Sequence, residues 1–227
     1  AGESAQRSAT ITIAGMYAYP DSIPHPIPTR IEAEHYDYGG EGVAYHDADE
    51  GNQRGSFRSE EGVDVKDGAS GMFVSKTRDG EWLKYTVAVP AEGAYTFAVS
   101  VANGLSTGAF HIELDGQDVT GPITGSTGGY ETFQELTVEN VVLPAGEHQL
   151  TLMFDETGHV VDYIDVVAPP QAVTVTAPNG GEQYMVGETM TVTWTTDLSQ
   201  VSDVTLQLST NEGETWQELL SGGSIDD

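Results

Sequence analysis

The 227-residue chain has no cysteine, and only 8 of its residues are lysine or arginine. Without cysteine, neither disulfide bonds nor thiolate zinc sites can hold the fold together. No apolar run reaches the roughly 18 residues that a membrane-spanning helix requires. Stability must therefore come from side-chain packing, together with a metal if one is bound through other ligands.

Basic residues are confined to the first 84 positions, and 36 acidic residues bring the formal net charge to −28. The stretch from Tyr85 to Asp227 contains no lysine or arginine. Nucleic acids and anionic membranes are bound through basic side chains opposite phosphate groups, so this composition disfavours both partners. We interpret the acidity as a surface adaptation to a saline habitat, where counterions screen the repulsion between carboxylates.

Short strands separated by turns are the dominant pattern of the chain. Glycine (27 residues) and proline (10 residues) are frequent, and no long helical periodicity is present. Trp82 to Val89 and Val160 to Val167 read as strands, and Asp115-Gly116 is a strong hairpin-turn signal. Regularly spaced strands from Ile31 to Val167 predict an all-β sandwich or jelly roll.

Two pairs of consecutive strands have the spacing of hairpins. The first pair is Trp82 to Val89 with Ala94 to Ala102, and the second is Glu135 to Leu143 with His148 to Phe154. The alternation of Trp82 with Lys84 leaves the orientation of the tryptophan open, and we expect it to pack in the core rather than to face a ligand.

Proline-rich stretches divide the chain into three parts. Residues 1–30 are predicted to hold one strand, Ala9 to Met16, followed by a proline-rich linker. Residues 31–168 form the main β-domain, and Ala168-Pro169-Pro170 leads into residues 169–227. This last part is short compared with a sandwich of about 100 residues, so we expect an incomplete second domain.

Glu32 and Glu34 stand two residues apart in a strand-like run that begins at Ile31. Side chains at positions i and i+2 of a strand point to the same side, so the two carboxylates would share one face. Such a pair suits a hard cation with oxygen ligands, above all calcium; a solvated strand end is the alternative. The acidic loop Asp47–Asn52 is a second calcium candidate, but it lacks the distal bidentate glutamate of an EF-hand.

Seven segments follow one another between residues 31 and 167: IEAEHYD (31–37), GVAYHDADEGNQRGSFR (42–58), GVDV (62–65), GEWLKYTVAVPAEGAYTF (80–97), TGGYETF (127–133), LPAGEHQLTLMF (143–154) and GHVVDYIDVV (158–167). In this order they resemble the family 6 carbohydrate-binding modules. The resemblance implies a β-sandwich jelly roll without catalytic activity that carries a structural calcium. It also implies a monomeric module of a secreted polysaccharide-degrading enzyme, with a polysaccharide or oligosaccharide as its partner.

The tail is similar to bacterial immunoglobulin-like spacer domains. The matching pieces are Ala177 to Glu182, Val192-Thr193-Trp194 and Leu208 to Trp216, and the usual closing strands are missing. This resemblance implies a second, incomplete immunoglobulin-like β-sandwich in which Trp194 and Trp216 belong to the core.

The resemblance to family 6 also assigns site residues. It places Glu32, Glu34 and Asp165 as calcium ligands and Tyr130 as one of two aromatic rings that sandwich a sugar. Lys76 stands where the second aromatic is expected, and Val160, preceded by His159, stands at the position of a hydrogen-bonding asparagine. His46 lies where the family has a polar residue at the rim.

These departures leave two interpretations of the sugar site open. In the first, the loop site is weak or lost, and binding uses the family's second site on the concave sheet face or does not occur. In the second, Lys76 and Arg78 pair with an acidic or sulfated polysaccharide, such as an alginate or a marine galactan.

The sequence favours a binding module over an enzyme. Glu113 to Asp118 imitates the paired carboxylates of some jelly-roll glycosidases, but we expect the Asp115-Gly116 turn to scatter those carboxylates. No HExxH or phosphate-loop motif is present. The alternatives are a structural spacer or adhesion segment with a decayed sugar site, and a small glycoside hydrolase or lyase.

The charge excess makes a prediction about stability. Because the acidic residues repel one another less when salt screens them, the melting temperature should rise between low and high NaCl concentrations. Thermal melts over a NaCl series measure this dependence, and a melting temperature that does not move with salt would refute the saline interpretation.

Overall fold

A computed structural model of the chain describes residues 15–69, 71–105, 107–168, 173–185, 187–196, 203–211 and 213–224. Most of the strand predicted over Ala9 to Met16 lies outside these residues. The chain divides into two compact units, Ala1–Pro169 and Pro170–Asp227. Within the described ranges, no helix combines the length and the apolar character needed to cross a membrane.

The first unit consists of thirteen described strands and one 3-10 turn. The strands are β1 (His25–Pro26), β2 (Thr29–Glu32), β3 (Tyr45–His46), β4 (Val65–Gly68), β5 (Gly71–Val74), β6 (Trp82–Val89), β7 (Gly93–Asn103), β8 (Ala109–Leu114), β9 (Gln117–Asp118), β10 (Ile123–Thr124), β11 (Gly129–Leu143), β12 (Gly146–Phe154) and β13 (Val160–Val167), and the 3-10 turn covers Ala33–His35.

These strands form two sheets that share one core. The first sheet has the order β1-β6-β12-β8-β10, with β3 on β6 and β9 on β8. The second has the order β11-β7-β13-β5-β4, with β2 on β13. Buried side chains from both sheets belong to a single cluster, among them Tyr85, Leu152 and Phe110 from the first and Phe97 and Ile164 from the second. The predicted all-β sandwich is confirmed.

The two predicted hairpins are wrong, although the strands themselves are present. β6 pairs with β1, β3 and β12, whereas β7 pairs with β11 and β13 in the other sheet. Likewise, β11 belongs to the second sheet and β12 to the first. Each short turn therefore carries the chain across the core from one sheet to the other. By contrast, Asp115 and Gly116 both have positive φ and join β8 to β9 as a true hairpin.

The outward face of β6 carries Trp82, which corrects the expectation of a core residue. Leu83, Tyr85, Val87 and Val89 are buried, and the alternate residues are only partly buried. Because strand side chains alternate, Trp82 lies on the face that looks away from the core.

The strand that holds Glu32 ends at that residue, and Ala33–His35 form the 3-10 turn. Glu34 therefore does not follow the period of two that the sequence suggested, and the reason given for a shared face does not apply. Glu34 is instead turned into the protein, with only 5% of its surface exposed.

The second unit contains two separate two-stranded antiparallel sheets. One joins β14 (Val173–Ala177) to β15 (Thr193–Thr196), and the other joins β16 (Asp203–Leu208) to β17 (Gln217–Ser224). Trp194 is half-buried in an apolar groove, but Trp216 is 61% exposed, so its prediction as a core residue is wrong. The immunoglobulin-like assignment of this unit stays a prediction.

Candidate functional site

An open cavity of about 350 Å³ lies where several connecting segments of the first unit meet. It brings together Tyr130, Lys76 and Arg78, three of the five residues predicted to contact a sugar. The remaining lining residues are Arg54, Lys66, Phe73, Ser75, Thr77, Leu105, Glu131, Thr157, Gly158 and Val160.

Tyr130 forms an exposed aromatic platform at the start of β11. Its side chain is 49% exposed, and its ring lies against the backbone of Gly104. A Cβ atom at position 104 would stand 2.8 Å from the ring, so only glycine lets the tyrosine pack there. The glycine backbone thus supports the ring, and the exposed part of the ring remains free for a ligand.

The floor of the cavity is apolar. Phe73 and Val160 are buried core residues that reach the cavity surface, and Phe73 packs edge-on against Phe133 with 5.3 Å between ring centroids. Val160 occupies the position that the resemblance assigned to an asparagine, so it contributes apolar surface where a hydrogen bond to a hydroxyl was expected.

Two basic residues of the cavity were predicted from the sequence. Lys76 follows β5 with a φ of +58°, a left-handed conformation that a non-glycine residue seldom adopts. Its ammonium contacts the side chain of Gln53 and lies 4.0 Å from a carboxylate oxygen of the buried Asp64. Arg78 forms an ion pair with Asp49.

Two further basic residues, Lys66 and Arg54, were not predicted. Lys66 pairs with Phe73 across the β4–β5 ladder, and its ammonium forms an ion pair with Glu131. Arg54 lies in a turn in which the side-chain oxygen of Asn52 accepts hydrogen bonds from the backbone N–H groups of Arg54 and Gly55. The only available signal was that each is one of the few basic residues of the chain.

Buried carboxylates hold the segments that carry these cations. Glu81 accepts hydrogen bonds from the backbone N–H groups of Ala48 and Arg78, at 3.0 and 2.8 Å. One carboxylate oxygen of Asp64 accepts a hydrogen bond from the backbone N–H of Gln53, and the other lies 4.0 Å from the Lys76 ammonium. Burial raises the pKa of Glu81 to about 7, although both hydrogen bonds oppose the rise. Burial also raises the pKa of Asp64.

His159 cannot contact a ligand in the cavity, so this part of the prediction is wrong. The imidazole is fully buried, packs edge-on against Phe110 at 4.9 Å between ring centroids, and lies beneath Gly108. Burial lowers the pKa of His159, which keeps the ring neutral. Its neighbour Val160 is the residue of this motif that reaches the cavity.

His46 lies outside the cavity lining, on the outer face of the first sheet. Neighbouring strands of this sheet place four residues side by side. In order across the sheet they are His46 on β3, Trp82 on β6, Met153 on β12 and His111 on β8. We call these four residues the outer-face row. His46 contacts Glu41, and both carboxylate oxygens of Asp155 lie within 2.9 Å of the His111 ring. The row is a second surface on which a half-exposed aromatic ring stands among polar groups.

Of the three carboxylates predicted to bind calcium, Asp165 already has a basic partner in the protein. Asp165 forms a 3.0 Å ion pair with Arg30. Besides burial, the charge of Asp162, which lies at a bulge between β13 and β7, raises the pKa values of both Glu32 and Glu34. One carboxylate oxygen of Glu34 is buried without a hydrogen-bond partner. Burial, with the charges of Glu32 and Asp162, raises the pKa of Glu34 to about 7.

An unpartnered buried carboxylate beside two other carboxylates fits a bound cation. Among the described residues, no three histidine, aspartate or glutamate side chains are arranged to hold a metal ion by themselves. A cation at Glu34 would therefore complete its shell with backbone oxygens, which calcium accepts readily. Asp162 is a further acidic candidate beside the predicted Asp165, whose role as a calcium ligand stays a prediction.

The Asp47–Asn52 loop is stabilised by its own hydrogen bonds. Asp47 accepts a bond from the backbone N–H of Asp49, and the Asn52 side chain bonds the following turn. Asp47 therefore already serves as an acceptor for the loop backbone, and Asp49 is the partner of Arg78.

The carboxylates of the Glu113–Asp118 run are not scattered as expected, because the hairpin places Glu113 directly opposite Asp118. Asp118 accepts hydrogen bonds from the backbone N–H groups of Thr120 and Gly121 and so stabilises the next turn. Glu113 faces His111 at 3.5 Å. The pair serves the local structure of the hairpin.

Comparison with known proteins finds a match in the first unit, which contains the cavity. Residues 53–168 match the family model of the carbohydrate binding module (family 6). No curated protein matches the chain.

Several solved structures are similar to this chain, among them three carbohydrate-binding modules. The C-terminal family 6 module of a marine laminarinase from Zobellia galactanivorans is 23% identical with a TM-score of 0.49, over 61% of this chain and 97% of that one. The module of Cellvibrio mixtus lichenase 5A in complex with cellotriose is 21% identical with a TM-score of 0.48, over 63% and 98%. A β-1,3-glucan-binding module from Bacillus halodurans is 22% identical with a TM-score of 0.48, over 64% and 100%. The family assignment rests on the match to the family model.

The raised pKa of Glu81 predicts how a Glu81→Gln variant responds to pH. The Glu81 carboxyl has a pKa of about 7 in the folded protein and 4.5 as its ordinary value. At pH values between these two, it therefore binds more protons in the folded state than in the unfolded state. Its contribution to the free energy of unfolding therefore falls as the pH rises through this window. Glutamine does not titrate, so the variant should gain stability relative to the parent between about pH 5 and pH 8.

Thermal melts of the parent and the Glu81→Gln variant over a pH series, in buffer with a chelator, measure the difference in stability between them. Subtracting one protein from the other cancels the contributions of all other titrating groups. The exposed Glu147→Gln change is the matched control, with a difference that stays flat. A Glu81→Gln difference that is flat or falls with pH would contradict the argument.

Proposed function

This chain belongs to the family 6 carbohydrate-binding modules, and on that premise we propose that it binds a polysaccharide at the Tyr130 cavity and keeps an attached secreted enzyme on that substrate. The family is non-catalytic. The observation that carries the proposal is the exposed Tyr130 ring, supported from below by Gly104, at the edge of an open cavity with polar walls.

Sugar rings offer an apolar C–H face and a rim of hydroxyl groups. A flat aromatic side chain stacks against the first, and convergent polar side chains bind the second. The cavity provides both kinds of contact, because Tyr130, Phe73 and Leu105 are apolar whereas Lys76, Arg78 and Glu131 are polar. With one exposed ring instead of two, the site is shallow, and we expect weak affinity per site.

A weak site is sufficient for a tether. Once the module is bound, a linked enzyme meets the polysaccharide at the effective concentration set by the linker, which can reach the millimolar range. Solved family 6 modules with similar folds hold cellotriose or cellobiose. A polysaccharide or oligosaccharide is therefore the ligand class that we assign to this chain.

The remaining parts of this proposal concern the setting of the module. A secreted location fits a polysaccharide target outside the cell. A saline, marine habitat fits a chain with 36 acidic and 8 basic residues. As an isolated module the chain would act as a monomer, and neither nucleic acid nor a membrane surface would be its partner.

The outer-face row is a second candidate site for the same function. The observation that favours it is Trp82, which lies on the outward face of β6 instead of in the core, with the Lys84 ammonium 4.7 Å from the ring centroid. His46 and His111 are the polar members of the row and could bind sugar hydroxyls. A spacer function with a decayed sugar site is the outcome if neither surface binds.

We further infer that calcium binds at Glu34, with Glu32 and Asp162 as additional acidic groups. Glu34, Glu32 and Asp162 would hold the ion, which would offset the charge of carboxylates that burial otherwise penalises. The buried, unpartnered oxygen of Glu34 supports this assignment.

A Tyr130→Ala variant should lose most of the affinity for polysaccharide, by about tenfold or more, because the stacking surface contributes about 1–3 kcal/mol. Affinity electrophoresis in gels containing laminarin, cellulose derivatives, xylan or alginate measures the retardation. Tyr184→Ala is the matched control, since Tyr184 is similarly exposed but lies in the second unit. Loss of binding in Trp82→Ala but not in Tyr130→Ala would assign binding to the outer-face row instead.

Calcium should raise the melting temperature of the parent over that in a chelator at pH 8, where Glu34 is mostly ionised. A Glu34→Gln variant should melt higher than the parent in the chelator, because no charge is buried, and should not respond to calcium. The exposed Glu147→Gln variant should respond as the parent does. Equal melting of the parent with calcium and with the chelator would rule out the calcium site.

A further inference from the structure

The cavity at Tyr130 collects half of the basic residues of the whole chain. Of the 8 lysine and arginine residues, four line it: Arg54, Lys66, Lys76 and Arg78. They come from three separate segments, namely the turn after residue 52, strand β4 and the segment after β5. In a chain with a net charge of −28, a random surface region would be acidic.

Two of the four cations, Lys66 and Lys76, have defined positions. Lys66 stands over Phe73 with its ammonium 5.7 Å from the ring centroid. Lys76 is kept in the left-handed region at φ +58°, and Asp64 and Gln53 hold its ammonium. Non-glycine residues stay in that region only where the surroundings determine it, which is common at ligand-binding positions.

The carboxylates that face these cations do not balance them. Glu131 pairs with Lys66, Asp64 with Lys76 and Asp49 with Arg78. Within the described part of the chain, no carboxylate forms an ion pair with Arg54. Four cations therefore face three carboxylates. The side chain of Glu131 is 66% exposed, and an exposed ion pair of this kind contributes little to stability. A ligand anion can replace Glu131 at low cost.

We propose that this cavity selects a sugar that carries an anionic group, either the carboxylate of a uronic acid or a sulfate ester. The sugar ring stacks on Tyr130, and the acidic group lies among Lys66, Arg54 and Lys76. This inference rests on the proposed polysaccharide-binding function and adds the chemical class of the ligand.

Charge-assisted hydrogen bonds from ammonium and guanidinium groups are stronger than neutral ones, and guanidinium binds planar carboxylates with two parallel bonds. A neutral sugar carries no anionic group with which the ammonium and guanidinium groups of the cavity could form an ion pair. An anionic sugar must approach a protein of net charge −28, so a local concentration of cations is what makes its binding favourable.

Isothermal titration calorimetry with four purified hexasaccharides tests the proposal at constant calcium and 0.15 M NaCl. The probes are a mannuronate hexamer, its carboxyl-reduced neutral form, a sulfated galactan hexamer and its desulfated form. At least one charged hexamer should bind about tenfold or more tightly than its neutral counterpart, as expected for one charge-assisted hydrogen bond. Which of the two does so identifies the acidic group as carboxylate or sulfate.

Two variants localise the effect. Lys66→Gln and Lys76→Gln should each lower the affinity for the charged hexamer about five- to tenfold and leave binding of a neutral hexamer unchanged. Arg30→Gln removes an exposed charge outside the cavity and should have no effect on either. The preference for the charged hexamer should also decrease in 0.5 M NaCl, because salt screens the exposed cations.

Equal binding of charged and neutral hexamers overturns the anionic ligand class. In that case, loss of binding in Tyr130→Ala would show that the proposed polysaccharide-binding function still holds. Failure of both charged hexamers to bind also overturns the inference. If Lys66→Gln and Lys76→Gln change no affinity while Arg30→Gln does, the charge effect does not arise in this cavity, and the proposal is wrong.

Discussion

Both sheets of the first unit must bury their apolar faces in one shared core, and this constraint determines where the connecting segments meet. Tyr85 and Leu152 on one side and Phe97 and Ile164 on the other belong to the same buried cluster. Because β6 and β7 lie in opposite sheets, the chain repeatedly crosses from sheet to sheet at the ends of the sandwich. The segments that follow β5 and precede β11 consequently meet, and the cavity forms between them.

A small number of buried carboxylates then give that cavity its shape and charge. Asp64 and Glu81 bond to backbone N–H groups of the segments that carry Gln53, Lys76 and Arg78. Burial penalises the charged forms of both groups, which the raised pKa values reflect. These two carboxylates are buried even though the chain already carries a large excess of negative charge. The result is a local cluster of cations beside an aromatic platform.

The residues of the site differ in how far the sequence could predict them. Tyr130 and Lys76 occupy positions in a recognisable order of segments, and the structure places both at the cavity. His159 was assigned on the same basis and is buried, because its ring packs against Phe110 and beneath Gly108 just before β13 begins. Arg54 and Lys66 were missed because no motif connects them. Their proximity depends on the β4–β5 ladder and on the turn that Asn52 stabilises.

The sequence by itself determined the all-β class, the positions of strands such as Trp82 to Val89, and the Asp115-Gly116 turn. These features follow from side-chain alternation and backbone preference, which act between residues close in the chain. Only the tertiary structure decided that β6 and β7 lie in different sheets, that Trp82 faces outward, and that Glu34 is buried in a 3-10 turn. A strand has the same period of two whichever partner it pairs with, so its partner and its buried face are set by the packing of the whole core.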